Sequence, residues 1–280
     1  MLPYNITDQE FDIFKRLIYQ HTGIHLSQQK KNLLVARLSN RLKALNLKTF
    51  IAYYNYLLHH PDRASEWVKM IDNITTSTTE FFRERQHFVF LQNKVLPYFL
   101  KKRGNKRLRI WSAGCSTGEE PYTIAIILSE FFKDREGWDI KILATDVNSR
   151  SLSLAKAGIY KATSVKPVPS LYLKKYFQKE SQGDVNIFKV KDTLKQMVAF
   201  KRLNLIRDHF TLSSVWDIIF CRNVTIYFHP DIKARVIDQF YKLLQNDGFL
   251  FMGHAEPLFF VSRKFYPVGK SVYQKVLRPK

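Results

Sequence analysis

Cysteine is nearly absent: 280 residues hold two, Cys115 and Cys221. Two thiols cannot make a metal site by themselves, and so few favour a reducing compartment over a disulfide-stapled scaffold. Acids are scarce as well, 24 against 45 lysines and arginines, which leaves a net charge of +21. Such a surplus predicts attraction to something acidic: a nucleic acid, an anionic membrane surface or an acidic protein face. No apolar run is long enough to span a bilayer, and the N-terminus lacks a cationic-then-apolar leader. The expected location is therefore the cytoplasm, without membrane insertion. Repeats and low-complexity tracts are missing too. The length leaves room for one large domain or two modest ones with ample core.

What is present centres on Arg109 to Tyr122, Arg-Ile-Trp-Ser-Ala-Gly-Cys-Ser-Thr-Gly-Glu-Glu-Pro-Tyr. The apolar run Leu108 to Trp111 reads as a buried parallel strand. It breaks into small residues with glycines at 114 and 118, which let a backbone turn sharply and approach a ligand. Thr117 or Ser116 is expected to cap a helix with Glu119 and Glu120 in its first turn. Strand, glycine turn and helix build a nucleotide-type site at the carboxyl edge of an open α/β sheet. No Lys-Ser/Thr follows the second glycine, and two carboxylates would repel a pyrophosphate. The acids suit a ligand with hydroxyls or a cation, and S-adenosylmethionine (SAM) has both. An ordinary turn with a charged first helical turn is the alternative.

Residues 1–75 read as all-helical. Thr7-x-x-Glu10 is a capping box followed by Phe11, Phe14, Leu17 and Ile18 at helical spacing. A second helix is expected from Ser27 to about Leu45, with Lys30, Arg37 and Arg41 on one face. Phe50 to Leu58 and Glu66 to Ile71 are two more. Asn73 to Thr79 reads as a linker, with Ser77 or Thr79 capping the next element and a helix following from Gln86 to Leu100. Downstream, strands at Asp139–Ala144 (ending at Thr145-Asp146), Trp216–Phe220, Phe249–Met252 and Ser271–Leu277 alternate with helices at Ser151–Ala157 and Ile232–Leu244. Asn246-Asp247-Gly248 reads as a turn. Between Tyr160 and Arg202 the pattern changes to a short helix, Leu171–Phe177, and short strands at Val185–Val190 and Met197–Phe200. Strands alternating with helices imply a mainly parallel sheet covered on both faces. The expected division is a helical domain, 1–75, and a second domain, 76–280, with an inserted β-subdomain at 160–202.

Six segments, in order, resemble the chemotaxis-receptor methyltransferase (CheR) family. They are Thr-Thr-Glu-Phe-Phe-Arg-Glu (78–84), Trp-Ser-Ala-Gly-Cys-Ser-Thr-Gly-Glu-Glu-Pro-Tyr (111–122), Ala-Thr-Asp-Val-Asn (144–148), Gly-Ile-Tyr (158–160), Phe-Cys-Arg-Asn-Val-Thr-Ile-Tyr-Phe (220–228) and Gly-His-Ala-Glu (253–256). The resemblance implies a Rossmann-like SAM-dependent sheet with an all-helical N-terminal domain and a small inserted β-subdomain. It implies methyl transfer from SAM to receptor glutamates, giving methyl esters and S-adenosylhomocysteine (SAH). Arg83, Arg222 and Tyr227 are its implied catalytic residues. Ser77, Thr79, Arg83, Gly114, Glu120, Asp146, Asn204, Leu205, Cys221 and Arg222 are its implied cofactor contacts. From position alone, Asp146 at a strand end suits two ribose hydroxyls, a solvated turn aspartate being the alternative, and Cys221, ending an apolar strand, reads as core, the resemblance alone placing it against SAM. A glutamate carboxylate is already ionised at neutral pH, so no general base is required. His87, His209, His229 and His254 show no ligand spacing, and no metal is expected.

The expected partner is the cytoplasmic region of a methyl-accepting chemotaxis receptor, docked through Arg37, Arg41 and the basic inserted segment, which has eleven Lys/Arg against three acids over 156–202. The charge also admits a methyltransferase acting on another protein or a nucleic acid. Neither an Asn/Asp-Pro-Pro-Tyr/Phe motif nor a catalytic Pro-Cys is present, however, and no nucleic acid is expected. A non-catalytic SAM-binding module is the third reading.

Overall fold

The computed structural model describes residues 4–183, 185–207, 210, 212, 215–258 and 264–275. The helical domain comprises α1 (Asp8–Thr22), a 3₁₀ turn (Gln28–Lys30), α2 (Lys31–Ala44), α3 (Phe50–His59) and α4 (Arg63–Ile74). The Thr7–Glu10 capping box forms as expected. Phe11, Phe14, Leu38, Phe50, Tyr53 and Met70 fill a separate core. Arg41 and Arg37 are committed inside this domain. The Arg41 guanidinium pairs with both oxygens of the buried Glu66, at 2.8 and 2.6 Å, and Arg37 donates to the carbonyls of Asn73 and Thr75. Both side chains thus have partners within their own domain, and Arg41 spares Glu66 the cost of being buried unpaired.

A helix with a π turn in its middle follows: α5 (Gln86–Phe90), the π turn Leu91–Val95 and α6 (Leu96–Lys102). Then come β1 (Arg107–Ala113), α7 (Glu119–Phe132), β2 (Asp139–Asp146), α8 (Ser149–Ala157), β3 (Ile159–Lys161), α9 (Ser170–Tyr176), β4 (Phe177–Gln182), β5 (Val185–Val190), α10 (Asp192–Lys195) and β6 (Val198–Arg202). The chain ends in β7 (Trp216–Cys221), α11 (Pro230–Leu243), β8 (Leu244–Met252), β9 (Phe265–Gly269) and β10 (Val272–Lys275). Seven strands form one sheet in the order β6-β2-β1-β7-β8-β10-β9. β1, β2, β6, β7 and β8 are parallel; β10 and β9 close one edge antiparallel. Successive strand residues point to opposite faces. Ile110, Ile218, Phe220 and Phe251 therefore enter the core under α7, while Trp111, Ile219, Cys221 and Met252 enter the one under α11. Strand order reverses between β1 and β7, and the carboxyl ends there are where such sheets place ligands.

Three expectations change. Segment 160–202 divides: β3, β5 and β4 make a small antiparallel sheet, but β6 returns to pair parallel with β2 in the main sheet. Asn246-Asp247-Gly248 does not end an element. Those residues form a bulge inside β8, where Trp216 opposes Leu244 and Ile218 opposes Phe249. Asp247 takes a left-handed φ of 64° there and is held by Lys102. Of the strand expected at Ser271–Leu277, residues 272–275 pair, and 276 and 277 lie outside the described residues.

Candidate active site

The turn between β1 and α7 runs under the end of β2. Gly114 and Cys115 both donate backbone N–H to the Thr145 carbonyl, at 2.7 and 2.9 Å. Gly114 has φ +87°, and a Cβ there would lie 2.3 Å from Val224 Cγ2, so only glycine fits. Gly118, at φ +98°, is itself the N-cap of α7. Neither expected hydroxyl caps: Ser116 Oγ donates to the Ser77 carbonyl and Thr117 Oγ1 to Glu119. Nor does Gly118 face a ligand. A Cβ on it would lie 2.9 Å from both Ala155 Cβ and Tyr160 Oη, so its smallness seats the turn on α8.

A cavity opens above this turn at the switch point, and Asp146 and Glu120 stand on its wall. Asp146 accepts the N–H of Ser116 on Oδ2 and of Asn148 on Oδ1, each at 2.8 Å. Burial pushes its carboxyl up, and those amides oppose the shift. Each oxygen keeps lone-pair capacity for a further donor. Glu120 accepts from Ser112 Oγ at 2.7 Å and from Arg222 Nη1 at 3.1 Å. Burial raises its carboxyl too, with Arg222 the main opposing influence. Leu205 and Asn204 line the same wall, and Asn204 also ties the two domains by donating to the His21 carbonyl at 2.7 Å. Two acids over a backbone cradle that excludes a Cβ form an acceptor set that fits SAM's diol and ammonium.

Arg83, Thr79 and Tyr227 also reach the cavity. Arg83 donates to the Thr78 carbonyl at 3.1 Å and sits between two residues with left-handed backbone, Phe82 (φ 57°) and Glu84 (φ 54°). Such conformations cost roughly 1 kcal/mol or more per residue and mark sites where geometry is imposed. Tyr227 lies on a 3₁₀ turn, Thr225–Tyr227, and is 41% exposed, so its ring is open to a large substrate. Arg222 lines the cavity as well, and its guanidinium is engaged by its neighbours. Its side chain is 2% exposed. Nη1 faces Glu120, Nη2 faces Glu84 at 3.2 Å and the Arg83 carbonyl, and the group lies 5.3 Å over the Phe88 ring. It is a clamp between two acids.

Two expected contacts do not line the cavity. Cys221 is fully buried among the core residues under α11, and burial drives its thiol up. The Ser77 hydroxyl is 2.9 Å from that of Ser151 on α8. Conversely, His25 and Lys30 of the helical domain line the cavity and were missed, because no local pattern announces a closure across 200 residues of chain. The His25 N–H donates to the Tyr227 carbonyl at 2.9 Å, and Ile24 bridges to Phe228.

The histidines are less scattered than their spacing suggests. His87, His254 and Glu84 each offer a ligand atom within 4.8 Å of the others, a set that could hold a metal ion. His87 Nε2 faces the Lys270 carbonyl at 3.0 Å and its Nδ1 faces Glu84 at 3.3 Å. Arg222 already brings positive charge to that same Glu84 oxygen. Burial and Arg222 push the His87 imidazole down to about 4. Burial alone would raise Glu84, but Arg222 and the His254 N–H hold it below the usual carboxylate range. His229 is apart, beside Asp231, and His209 lies outside the described residues.

Comparison with known proteins adds to this geometry. Residues 77–274 match the family described as CheR methyltransferase, SAM binding domain, and residues 9–75 match CheR methyltransferase, all-alpha domain. The chain is similar to the chemotaxis protein methyltransferase of Borreliella burgdorferi, 42% identical over 261 residues, 92% of this chain and 91% of that protein. It is 36% identical over 269 residues to the Escherichia coli chemotaxis protein methyltransferase, covering 96% of this chain and 91% of that one. Chemotaxis protein methyltransferase 2 of Pseudomonas aeruginosa is 34% identical over 270 residues, 96% of this chain and 94% of its own.

Proposed function

Because the chain belongs to the CheR methyltransferase family, we propose that this SAM-dependent methyltransferase of chemotaxis forms methyl esters on glutamate side chains in the cytoplasmic region of a methyl-accepting receptor. The observation that carries the ester specificity is the lining of one cavity: two acids, Asp146 and Glu120, together with Arg83, a cation bonded to the Thr78 carbonyl rather than to an acid, and the exposed Tyr227. Bound SAM supplies an electrophilic methyl on a sulfonium. Asp146 would hold its ribose hydroxyls, Glu120 its ammonium, and Asn204 and Leu205 its base, with Gly114 passing against it. Arg222 opposes the upward push that burial gives the Glu120 carboxyl. Arg83 and Tyr227 would align the incoming carboxylate, with Thr79 beside them. No base is needed, since a glutamate is ionised at neutral pH, and alignment of oxygen with methyl is the main demand on the site.

Docking falls to exposed basic positions of the small β-sheet, such as Lys161, and to Lys30 at the cavity mouth rather than to Arg37 and Arg41. The proposed division is a helical domain, 1–75, and a transferase domain, 76–280. Among the described residues no helix is long and apolar enough to cross a membrane, and the proposed site of action is the cytoplasm. Incubation with methyl-labelled SAM and either a receptor cytoplasmic fragment or RNA is the test. Base-labile label on the fragment is expected. Label in RNA, or SAM binding without transfer to either, would overturn the proposal.

A further inference from the structure

The motif Gly253-His254-Ala255-Glu256 has no part in the chemistry above, yet its last residue is 0% exposed and holds five donors. Glu256 Oε2 accepts the N–H groups of Asn223 at 2.6 Å and Gly253 at 2.8 Å. Oε1 accepts the N–H groups of Val224 and Ile226, both at 3.1 Å, and the Thr225 hydroxyl at 2.8 Å. Asn223, Val224 and the start of the 3₁₀ turn lie beyond β7, where no ladder serves their amides. One carboxylate stands in for that ladder. It holds Asn223 in a left-handed φ of 58° and brings Val224 over Gly114, in the space a Cβ on Gly114 would fill. Tyr227 then donates its N–H back to the Val224 carbonyl and presents its ring to the cavity.

We propose that Glu256 is a positioning residue for methyl transfer: by gathering the backbone of 223–226 on one side chain, it sets where Tyr227 stands relative to the cofactor wall. Asp146 and Glu120 sit on β2 and α7 and take their hydrogen bonds from Ser116, Asn148, Ser112 and Arg222 rather than from 223–226, so the two cofactor acids are held apart from the segment Glu256 gathers. The turnover arm rests on the receptor-glutamate reading; the structural arm does not.

Two variants test it by different routes. Glu256→Gln keeps the shape but turns one oxygen into an N–H₂ that faces donors. Gly253→Ala leaves the acid in place but puts a Cβ 2.4 Å from Glu256 Oε2 and 2.8 Å from the Asn223 nitrogen. In each, kcat for labelled-methyl transfer to a receptor fragment should fall about 100-fold, the scale of a misplacement near 1 Å. SAH affinity by calorimetry should stay within about threefold, the signature of lost alignment rather than lost binding. Hydrogen exchange of the 223–226 amides should speed up at least about tenfold in both variants while that of β1 does not change. Wild-type kcat, an equal fall in kcat and SAH affinity, or unchanged exchange at 223–226 would each overturn the proposal. A wild-type enzyme that methylates no receptor fragment would instead count against the receptor reading, and exchange would still decide the role of Glu256.

Discussion

Arg222, itself buried, holds one positive charge between two partly buried carboxylates, and that position dictates what its loss would do. Arg222→Ala strands Glu120 and Glu84 without their shared partner. Breaking a buried pair in this way costs about 3–5 kcal/mol, so the urea midpoint should drop sharply and SAH binding should weaken with it. An unfolding curve matching wild type would show the clamp to be dispensable. Tyr227→Phe should behave in the opposite way, because its exposed hydroxyl supports little packing. Turnover should fall about tenfold, worth ~1.4 kcal/mol of transition-state stabilisation, with the SAH dissociation constant unchanged in calorimetry. His87 adds a pH dependence. Its folded value of about 4 lies below the ordinary 6.5. Its contribution to stability is therefore complete above pH 6.5 and disappears as pH falls through 4. Denaturation midpoints should decline across that window, and His87→Asn should decline less.

Among the elements, the β1 turn and the strand ends were legible because buried parallel strands are continuous apolar runs and their carboxyl ends place ligands. The left-handed glycines were legible as turn residues, but which surface each approaches was not: Gly114 meets Val224 and Gly118 meets Ala155 and Tyr160, contacts made across the fold. Strand parity could have corrected Cys221. Alternation puts it on the same face as Ile219, inside the core, and away from its neighbour Phe220. β4, Phe-Gln-Lys-Glu-Ser-Gln, was missed because a two-sided polar edge strand carries no alternation. Asn246-Asp247-Gly248 supplied true turn chemistry that the sheet used for a bulge instead. A prediction belongs to the glycine turn as a whole. Gly114→Ala adds backbone strain of about 1–2 kcal/mol and drives a methyl into Val224. It should abolish SAH binding in calorimetry, whereas Gly183→Ala, whose Cβ meets nothing within 4 Å, should keep it.

Across the whole molecule the charge is uneven. Residues 1–75 carry +4 of the +21, and the rest lies downstream. If the surplus guides an acidic partner to the cavity mouth, raising ionic strength should lift KM for the receptor fragment severalfold, because exposed charges are screened beyond about 8 Å at 0.15 M salt. SAH affinity, which depends on buried acids, should change little, and a flat KM across a salt series would exclude steering. The two domains are stitched at several points: Asn148 and Ser149 to Asp72, Asn204 to His21, and the Ile24–Phe228 bridge with His25 bonded to Tyr227. That last seam runs through the very segment that presents the tyrosine. The first seventy-five residues are thus not a detachable recognition handle. Amputating them would unroof the pocket and unmoor the loop together, and neither fragment would inherit a working enzyme.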